Sequence, residues 1–290
     1  MQYQSRKNFE DFSASYPEEK ISLSASSNQP SLRYLDLFSP IGKGQRVLVS
    51  APPCTGATTL LKDIALSVQA KIDQGENLHL LALLIAERPE EVTEFCRTVS
   101  EEVVYTTFDQ EAQEHLRAAR LVFSRAKRLA EMGEDVVLLL DSLTRLTLAA
   151  DACAPTGKTL PCGLEIGAFH FPRTCLSQAR KLTGGGSITV IAIVACTAGN
   201  EVEEVIYSEF EKICNSRISL SIALAAKRIF PAIDVKNSYT RRAEALLTPK
   251  EAECADYVRQ NLLDDNGEAL NELINQTPDN ATFINKILNK

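Results

Sequence analysis

The sequence predicts an α/β fold with a mostly parallel sheet flanked by helices. Short runs rich in Val, Ile and Leu alternate along the 290 residues with longer amphipathic runs, the order expected of parallel strands and crossover helices. Two apolar runs end in an acidic residue, Glu87 and Asp141, and a third leads into a Pro/Gly turn after Val49. Ligands of such sheets bind at the C-terminal strand ends, so these three positions define the expected site.

The predicted strands are continuous apolar or β-branched runs, as expected for strands covered on both faces. They lie at 47–49, 78–85, 103–107, 136–140, 187–196 and 217–224. Helices are predicted where apolar residues recur at helical spacing, as Leu60, Ile64 and Val68 do. They lie at 60–70, 90–100, 110–133, 171–182, 248–263 and 268–288.

Two segments are predicted along the chain. Residues 1–30 are polar, rich in Ser, Glu and Lys, and without periodicity, so we expect a flexible tail. Residues 31–290 are expected to form one folded domain that ends in the C-terminal helices.

Composition excludes several classes of function. A net charge of −7 and a pI of about 5.2 argue against broad, non-specific nucleic-acid binding, although a local basic site remains compatible with them. The eight cysteines include no C-x-x-C pair and the three histidines lie far apart, so reduced thiols and no His-rich metal site are expected. No apolar run approaches about 18 residues, so we expect no membrane span and a cytoplasmic location.

The segment 46–60 has the order strand, glycine loop, helix, which is typical of a phosphate-binding loop. The usual pattern is G-x-x-x-x-G-K-[ST], in which Lys contacts the β- and γ-phosphates and the hydroxyl residue holds magnesium. Here Ala51 replaces the first Gly, Gly56 is the second, Thr58 supplies the hydroxyl and Ala57 occupies the Lys position. The loop is therefore recognisable, but its positive charge is missing.

Asp141 and Glu87 are the acidic candidates. An apolar strand that ends in Asp presents a Walker B carboxylate to magnesium, although a residue at that point also serves as a helix N-cap. Glu87 leaves a buried strand at the same edge and is a candidate general base for water attacking a γ-phosphate. Its alternative role is that of a surface carboxylate paired with Arg88 or another neighbouring residue.

Seven stretches in sequence order resemble the ATPase core of the bacterial transcription termination factor Rho family. The resemblance covers about residues 32 to 250, and the family belongs to the RecA-like ring ATPases, so it implies a RecA-like P-loop NTPase core over 31–290. The stretches are 40–46 (PIGKGQR), 51–59 (APPCTGATT), 83–91 (LLIAERPEE), 138–146 (LLLDSLTRL), 204–210 (EVIYSEF), 227–234 (KRIFPAID) and 240–247 (TRRAEALL).

The resemblance implies an RNA-dependent ATPase that assembles as a hexameric ring, with ATP and Mg²⁺ bound between subunits. In that pattern Thr58 and Asp141 hold Mg²⁺ and Glu87 activates water. Arg241 is the arginine finger for a neighbouring subunit, and Arg228 is a second arginine at that interface. The nucleotide-binding positions are Cys54, Thr55, Gly56, Ala57, Thr58, Thr59 and, beside the adenine, Phe230; the RNA-facing positions include Lys158 and Gly163.

The sequence departs from the family pattern at both ligands. The loop of the family reads A-P-P-K-A-G-K-T, and Cys54 and Ala57 replace its two lysines. Ala86 replaces an acidic residue, Glu201 replaces a lysine that faces RNA, and Pro-Cys-Gly at 161–163 replaces Thr-Gly-Gly. The segment 1–30 is too short for the N-terminal RNA-binding domain of the family, so we expect that domain to be absent.

No replacement cation is expected in the loop, because Lys62 lies five positions after Ala57, roughly 140° around a helix. Three hypotheses follow. The first is a Rho-like protein with impaired or lost hydrolysis and weakened RNA binding, acting as an accessory relative in a ring of its own copies or mixed with authentic Rho. The second is an active RNA-stimulated termination ATPase. The third is an interaction module that binds no nucleotide.

Overall fold

The fold is built around one β-sheet. The computed structural model describes residues 7–25, 29–153, 157–262 and 267–289. Within those ranges the sheet has nine strands. They are β1 (Ala14–Ser15), β2 (Arg46–Ala51), β3 (Leu78–Glu87), β4 (Glu102–Thr107), β5 (Asp135–Asp141), β6 (Arg180–Leu182), β7 (Ser187–Ala195), β8 (Ser216–Leu220) and β9 (Ile233–Thr240).

Helices connect and cover these strands. They are α1 (Pro30–Phe38), α2 (Ala57–Asp73), α3 (Pro89–Thr98), α4 (Ala112–Glu131), α5 (Leu143–Cys153), α6 (His170–Ser177), α7 (Glu201–Glu211), α8 (Ile222–Ala226), α9 (Pro249–Asn261), α10 (Glu268–Asn275) and α11 (Asn280–Leu288). Short 3₁₀ turns lie at Phe9–Asp11, Ile166–Phe169 and Ala243–Ala245.

The main strand order is β4-β3-β5-β7-β2-β8-β9. Pairing is parallel from β4 through β8, and β9 is antiparallel to β8. β7 lies between β2 and β5. The C-terminal ends of β2, β5 and β7 therefore lie side by side at one edge of the sheet, as the parallel pattern predicts.

Both faces of the sheet are buried. Val47 and Val49 pack in a cluster with α1, α2 and the C-terminal helices, whereas Leu48 between them packs on the opposite face with α4 to α7. This alternation follows from the two-residue period of a strand. It explains why the strands read as continuous apolar runs. None of the helices in the described ranges is long and apolar enough to cross a membrane.

The predicted flexible tail is wrong for residues 7–25, which pack against the domain. Phe9 is 1% exposed, β1 pairs with β6, and the amides of Leu23 and Ser24 donate to the buried carboxylate of Asp36. These contacts are long-range, so the polar composition of the segment did not reveal them. Residues 1–6 and 26–28 of the predicted tail lie outside the described residues.

Three further elements differ from the sequence prediction, and helix capping explains the first two. Residues 217–224 divide into β8 and α8, because the Ser221 side chain accepts a hydrogen bond from Leu224 N and begins a helix. Residues 268–288 divide into α10 and α11, because Asp279 caps the second helix through Thr282 N. Residues 171–182 end as helix at Ser177 and continue as β6.

Candidate functional site

The loop between β2 and α2 has the backbone of an anion-binding turn. Gly56 precedes α2 with φ +85°, and Cys54 also has a positive φ of 61°. The buried Thr55 hydroxyl donates to Pro52 O at 2.7 Å and fixes the turn. The first amides of a helix lack intrahelical acceptors and carry its positive dipole end. This loop therefore offers backbone donors to an anion.

A cleft of about 660 Å³ opens over this loop. β7 supplies part of its wall with Ile193 and Ala195, because that strand lies between β2 and β5. The remaining lining residues come from the loop, α2, α3, β5, α5 and α7. They include residues 51–59, Lys62, Glu91, Glu94, Asp141, Ser142, Thr144, Arg145, Leu148 and Glu203.

The carboxylate of Asp141 reaches the first turn of α2. Its Oδ2 accepts a hydrogen bond from Thr58 Oγ1 at 3.2 Å. Burial, reinforced by the charge of Glu87, raises the pKa of Asp141 to about 6. A hydroxyl and a carboxylate in contact are the oxygen donors that Mg²⁺ accepts, so this pair fits that metal.

Glu87 is buried at the same edge, at 6% exposure. The preceding residue, Ala86, has φ +51° at an irregularity in the pairing of β3 with β4, and such irregularities redirect the following side chain. Glu87 Oε2 forms a short ion pair with Arg145 Nη1, and Oε1 accepts from Arg88 N at 3.0 Å. The alternative in which Glu87 is a surface carboxylate does not describe this geometry.

The cleft carries more negative than positive side chains. Its described lining includes four carboxylates and two cations. The carboxylates are Asp141, Glu91, Glu94 and Glu203; the cations are Lys62 and Arg145. Arg145 is engaged by Glu87, and Lys62 Nζ lies 2.8 Å from Glu94 Oε1. An anion entering the cleft therefore meets cations that already have acidic partners.

Phe230 lies next to the phosphate loop. A β-carbon placed on Gly56 would lie 3.9 Å from its ring, and the side chain is 48% exposed. The ring is thus available to an adenine, as the resemblance implies. Arg228, two residues earlier, is exposed and has φ +60°.

Arg241 lies at the other edge of the sheet. Its amide donates to Asn215 O at 2.8 Å, and Asn215 Oδ1 accepts from the amide of Arg46, the first residue of β2. The phosphate loop begins at the opposite end of β2 from Arg46, and a six-residue strand is roughly 20 Å long. The fold therefore does not bring Arg241 to the phosphate loop of its own chain.

The predicted RNA-facing residues Lys158 and Gly163, and Glu201 at the position of a family lysine, are outside the described lining of the cleft. Lys158 and Gly163 belong to a small hairpin, in which Thr159 bridges Glu165 and Gly163 N donates to Leu160 O at 2.9 Å. Both residues are exposed. Glu201 is exposed at the start of α7, whose first turn is acidic.

Two cleft residues were missed from the sequence. Lys62 was not expected to supply a cation to the loop, but it lines the cleft over that loop. The spacing from Thr58, four residues and therefore one helix turn, is the signal that would have placed it correctly. Arg145 was given no role, and only the pairing of β3 with β5 brings it to Glu87.

Similarity to known proteins agrees with this architecture. Residues 31–240 match the model of the ATP synthase alpha/beta family, nucleotide-binding domain. An ATPase from the type III secretion system of pathogenic bacteria has a similar fold, with a TM-score of 0.72 and 23% sequence identity. That match covers 89% of this chain and 82% of the other.

Closer relatives are curated as transcription termination factor Rho. The Karelsulcia muelleri protein is 45% identical over 84% of this chain, and the Streptosporangium roseum protein is 40% identical over 98%. The Bacillus subtilis protein is 43% identical over 85%. The chain spans 64%, 74% and 57% of these three relatives, respectively. On this similarity, the chain belongs to the Rho family of transcription termination factors and has the RecA-like P-loop ATPase fold.

Proposed function

We propose that this chain is a Rho-family subunit with weak nucleotide binding and impaired or lost ATP hydrolysis, acting as an accessory member of a ring. One observation carries the proposal: the phosphate loop keeps its backbone form, but no ammonium group stands at positions 54 and 57. The acidic lining of the cleft supports it further.

Weak binding is what the remaining groups support. A hydrogen bond to a charged group contributes about 1.5–3 kcal/mol, so loss of the loop lysine weakens ATP binding roughly 10- to 150-fold. The loop amides and the α2 dipole remain for the phosphates. Thr58 and Asp141 would hold Mg²⁺, which supplies charge neutralisation when bound.

Hydrolysis makes a harder demand than binding. Phosphoryl transfer depends on positioning and on charges that stabilise the transition state. In the proposed roles Glu87 orients the attacking water, and its ion pair with Arg145 fixes the carboxylate. The missing lysine removes a charge from the same transition state, so turnover is slow even where the nucleotide binds.

A ring assembly is proposed from the position of Arg241. This residue lies at the edge of the sheet opposite its own loop, so its guanidinium is available to the nucleotide of an adjacent subunit. Arg228, which is also exposed, is proposed as the second arginine of that interface on the resemblance alone. In a mixed ring with authentic Rho, this chain would complete the site of its neighbour while its own site hydrolyses little ATP.

RNA binding is proposed to be weakened. Lys158 and Gly163 are exposed in one loop, but Glu201 occupies a position where the family has a cation. A carboxylate repels phosphate, and a ring would repeat the repulsion in each subunit.

We further propose that residues 31–290 form a single ATPase domain and that the packed residues 7–25 are an extension of it.

Nucleotide binding and turnover of the unaltered chain, with and without RNA, test the proposal against its Ala57→Lys variant. We expect the variant to bind a non-hydrolysable ATP analogue 10- to 150-fold more tightly. Leu66→Lys adds the same charge at an exposed position of α2 and controls for net charge. RNA-stimulated turnover by the unaltered chain would instead establish an active termination ATPase. Absence of analogue binding in every variant would establish an interaction module.

Assembly is tested separately by co-purification of the chain with a full-length Rho. We expect a mixed ring at micromolar concentrations, with the Arg241→Ala variant still incorporated but lowering turnover by the neighbouring subunits. No association at those concentrations contradicts the accessory role.

A further inference from the structure

Lys62 is the cleft cation whose partner is easiest to displace. It lies one helix turn after Thr58 and lines the same cleft. Its side chain is 12% exposed, whereas that of Glu94, its partner at 2.8 Å, is 65% exposed. The ammonium is thus held inside the cleft by a carboxylate that faces water.

The side-chain geometry of a helix directs Lys62 toward the phosphate loop. Four residues separate it from Thr58, about 6 Å along the axis. Helical side chains lean back toward the N-terminus, and a lysine places its charge at the end of a flexible four-carbon stem. A four-carbon stem therefore allows the ammonium group to reach back toward the turn where the loop amides converge.

An ion pair with one exposed partner is weak, because water screens it and the side chains lose entropy in forming it. A phosphate group carries more charge than a carboxylate and would compete effectively for the same ammonium. Arg145 is less available for this exchange, because its guanidinium also donates to Ile85 O in addition to Glu87. Lys62 is therefore the better candidate for direct contact with an anion.

We propose that Lys62 is a relocated cation that binds the terminal phosphates of a nucleoside triphosphate, and that Glu94 holds it in place until the anion enters. This inference rests on the proposed nucleotide binding and identifies its charge source. The Lys62 ammonium group would take the place of the missing loop lysine, from a position one turn further along α2. Entry of the phosphates exchanges the Lys62–Glu94 ion pair for a Lys62–phosphate pair.

Calorimetric titration with a non-hydrolysable ATP analogue in the presence of Mg²⁺ tests the exchange. We expect Lys62→Gln to weaken binding 10- to 100-fold, while AMP, which lacks the terminal phosphates, binds both proteins equally. Glu94→Gln is expected to tighten analogue binding several-fold, and the double variant to match Lys62→Gln. Equal analogue affinity in the unaltered chain and Lys62→Gln overturns the proposal, and so does weaker binding by Glu94→Gln.

Matched controls come from the same helix. Lys71 pairs with Glu76 at 2.7 Å but does not line the cleft, so Lys71→Gln and Glu76→Gln should leave analogue affinity within twofold of the unaltered chain. Circular dichroism of each variant confirms that the fold is retained. A loss with Lys71→Gln as large as that with Lys62→Gln would contradict the proposal, since it would show a non-specific charge effect.

Acylation of lysine amines, measured by mass spectrometry, tests the role of Lys62 separately from the proposed nucleotide binding. We expect inorganic tripolyphosphate to protect Lys62, and not Lys71, from the reagent. Protection without binding of the ATP analogue contradicts both the nucleotide function and a nucleoside triphosphate as the ligand of Lys62. A different result would contradict only the relocated cation: the analogue binds the unaltered chain and Lys62→Gln equally well, and tripolyphosphate does not protect Lys62. The proposed nucleotide binding would then be unaffected.

Discussion

Thr58 Oγ1 donates a hydrogen bond of 3.2 Å to Asp141 Oδ2, joining the first turn of α2 to the end of β5. The two residues are 83 positions apart in sequence. Asp141 is 5% exposed, and burial together with the charge of Glu87 raises its pKa to about 6. Protonation of this one carboxyl group therefore decides whether the pair can act as a metal ligand near neutral pH.

Divalent-metal binding should depend on pH through Asp141. Only the carboxylate form binds a cation, so we expect apparent affinity to be constant above about pH 7 and to fall about tenfold per pH unit below 6. Titration with Mn²⁺, followed by electron paramagnetic resonance, measures this dependence. Asp109→Asn, at an exposed position, should retain the pH profile. An affinity independent of pH between 5 and 8 would contradict the assignment of Asp141.

Stability should change in the opposite sense at the same carboxyl group. Because its folded pKa lies above the ordinary value of 3.8, the folded state binds more protons between pH 4 and 6, and the free energy of unfolding falls as pH rises through that interval. We expect Asp141→Asn to be more stable than the unaltered chain by about 1–3 kcal/mol at pH 7.5. The gain should vanish below pH 4. Urea denaturation at both pH values tests this; an equal gain at both would reject the pKa explanation.

Arg33 should be essential for docking the C-terminal helices. Its side chain belongs to a residue that is 2% exposed, and its guanidinium donates to the carbonyl groups of Ile274 in the last turn of α10 and of Thr277 and Asp279 before α11. Truncation leaves buried acceptors unpaired and creates a cavity, so Arg33→Ala should lose about 3–5 kcal/mol of unfolding free energy. The exposed Arg97→Ala control should change it by less than about 0.5 kcal/mol. Urea denaturation measures both free energies of unfolding. A loss below about 1 kcal/mol for Arg33→Ala would be inconsistent with a stabilising role of these hydrogen bonds.

Gly186 should tolerate no side chain. A β-carbon at this position would overlap the carbonyl oxygen of Glu134, a backbone atom that cannot move independently. We expect Gly186→Ala to cost about 3 kcal/mol or more. Gly133→Ala meets nothing within 4 Å but keeps φ +93°, so only backbone strain of about 1–2 kcal/mol is expected there. Thermal denaturation of both variants measures the difference; equal destabilisation would show that the close contact is not the cause.

Phe230 should contribute to binding of the base rather than of the phosphates. Stacking of a base on an aromatic ring is worth about 1–3 kcal/mol, so Phe230→Ala should weaken ADP binding roughly 5- to 150-fold. Affinity for tripolyphosphate should stay unchanged, because that probe has no base. Phe230→Tyr, which keeps an aromatic ring, is the control. Equal loss for ADP and tripolyphosphate would place the effect in the loop backbone instead.

The sequence by itself determined most of the local elements and the family. Alternating apolar and amphipathic runs depend on the periods of strands and helices, which a single segment displays. The strand–loop–helix at 46–60 and the acidic residues Glu87 and Asp141 were therefore placed at the correct edge of the sheet. The family and the RecA-like fold are confirmed, whereas the individual roles of the site residues stay predictions.

Only the tertiary structure decided the electrostatics of the site. The partner of Lys62 is on α3, the partner of Arg145 is at the end of β3, and the cleft takes Glu203 from α7. Such contacts join residues distant in sequence, and no periodicity within one element encodes them. The same reason explains the packed residues 7–25, whose polar composition gave no sign of the partners that hold them. Local hydrogen bonding and periodicity made the elements readable, and long-range packing determined which charges meet.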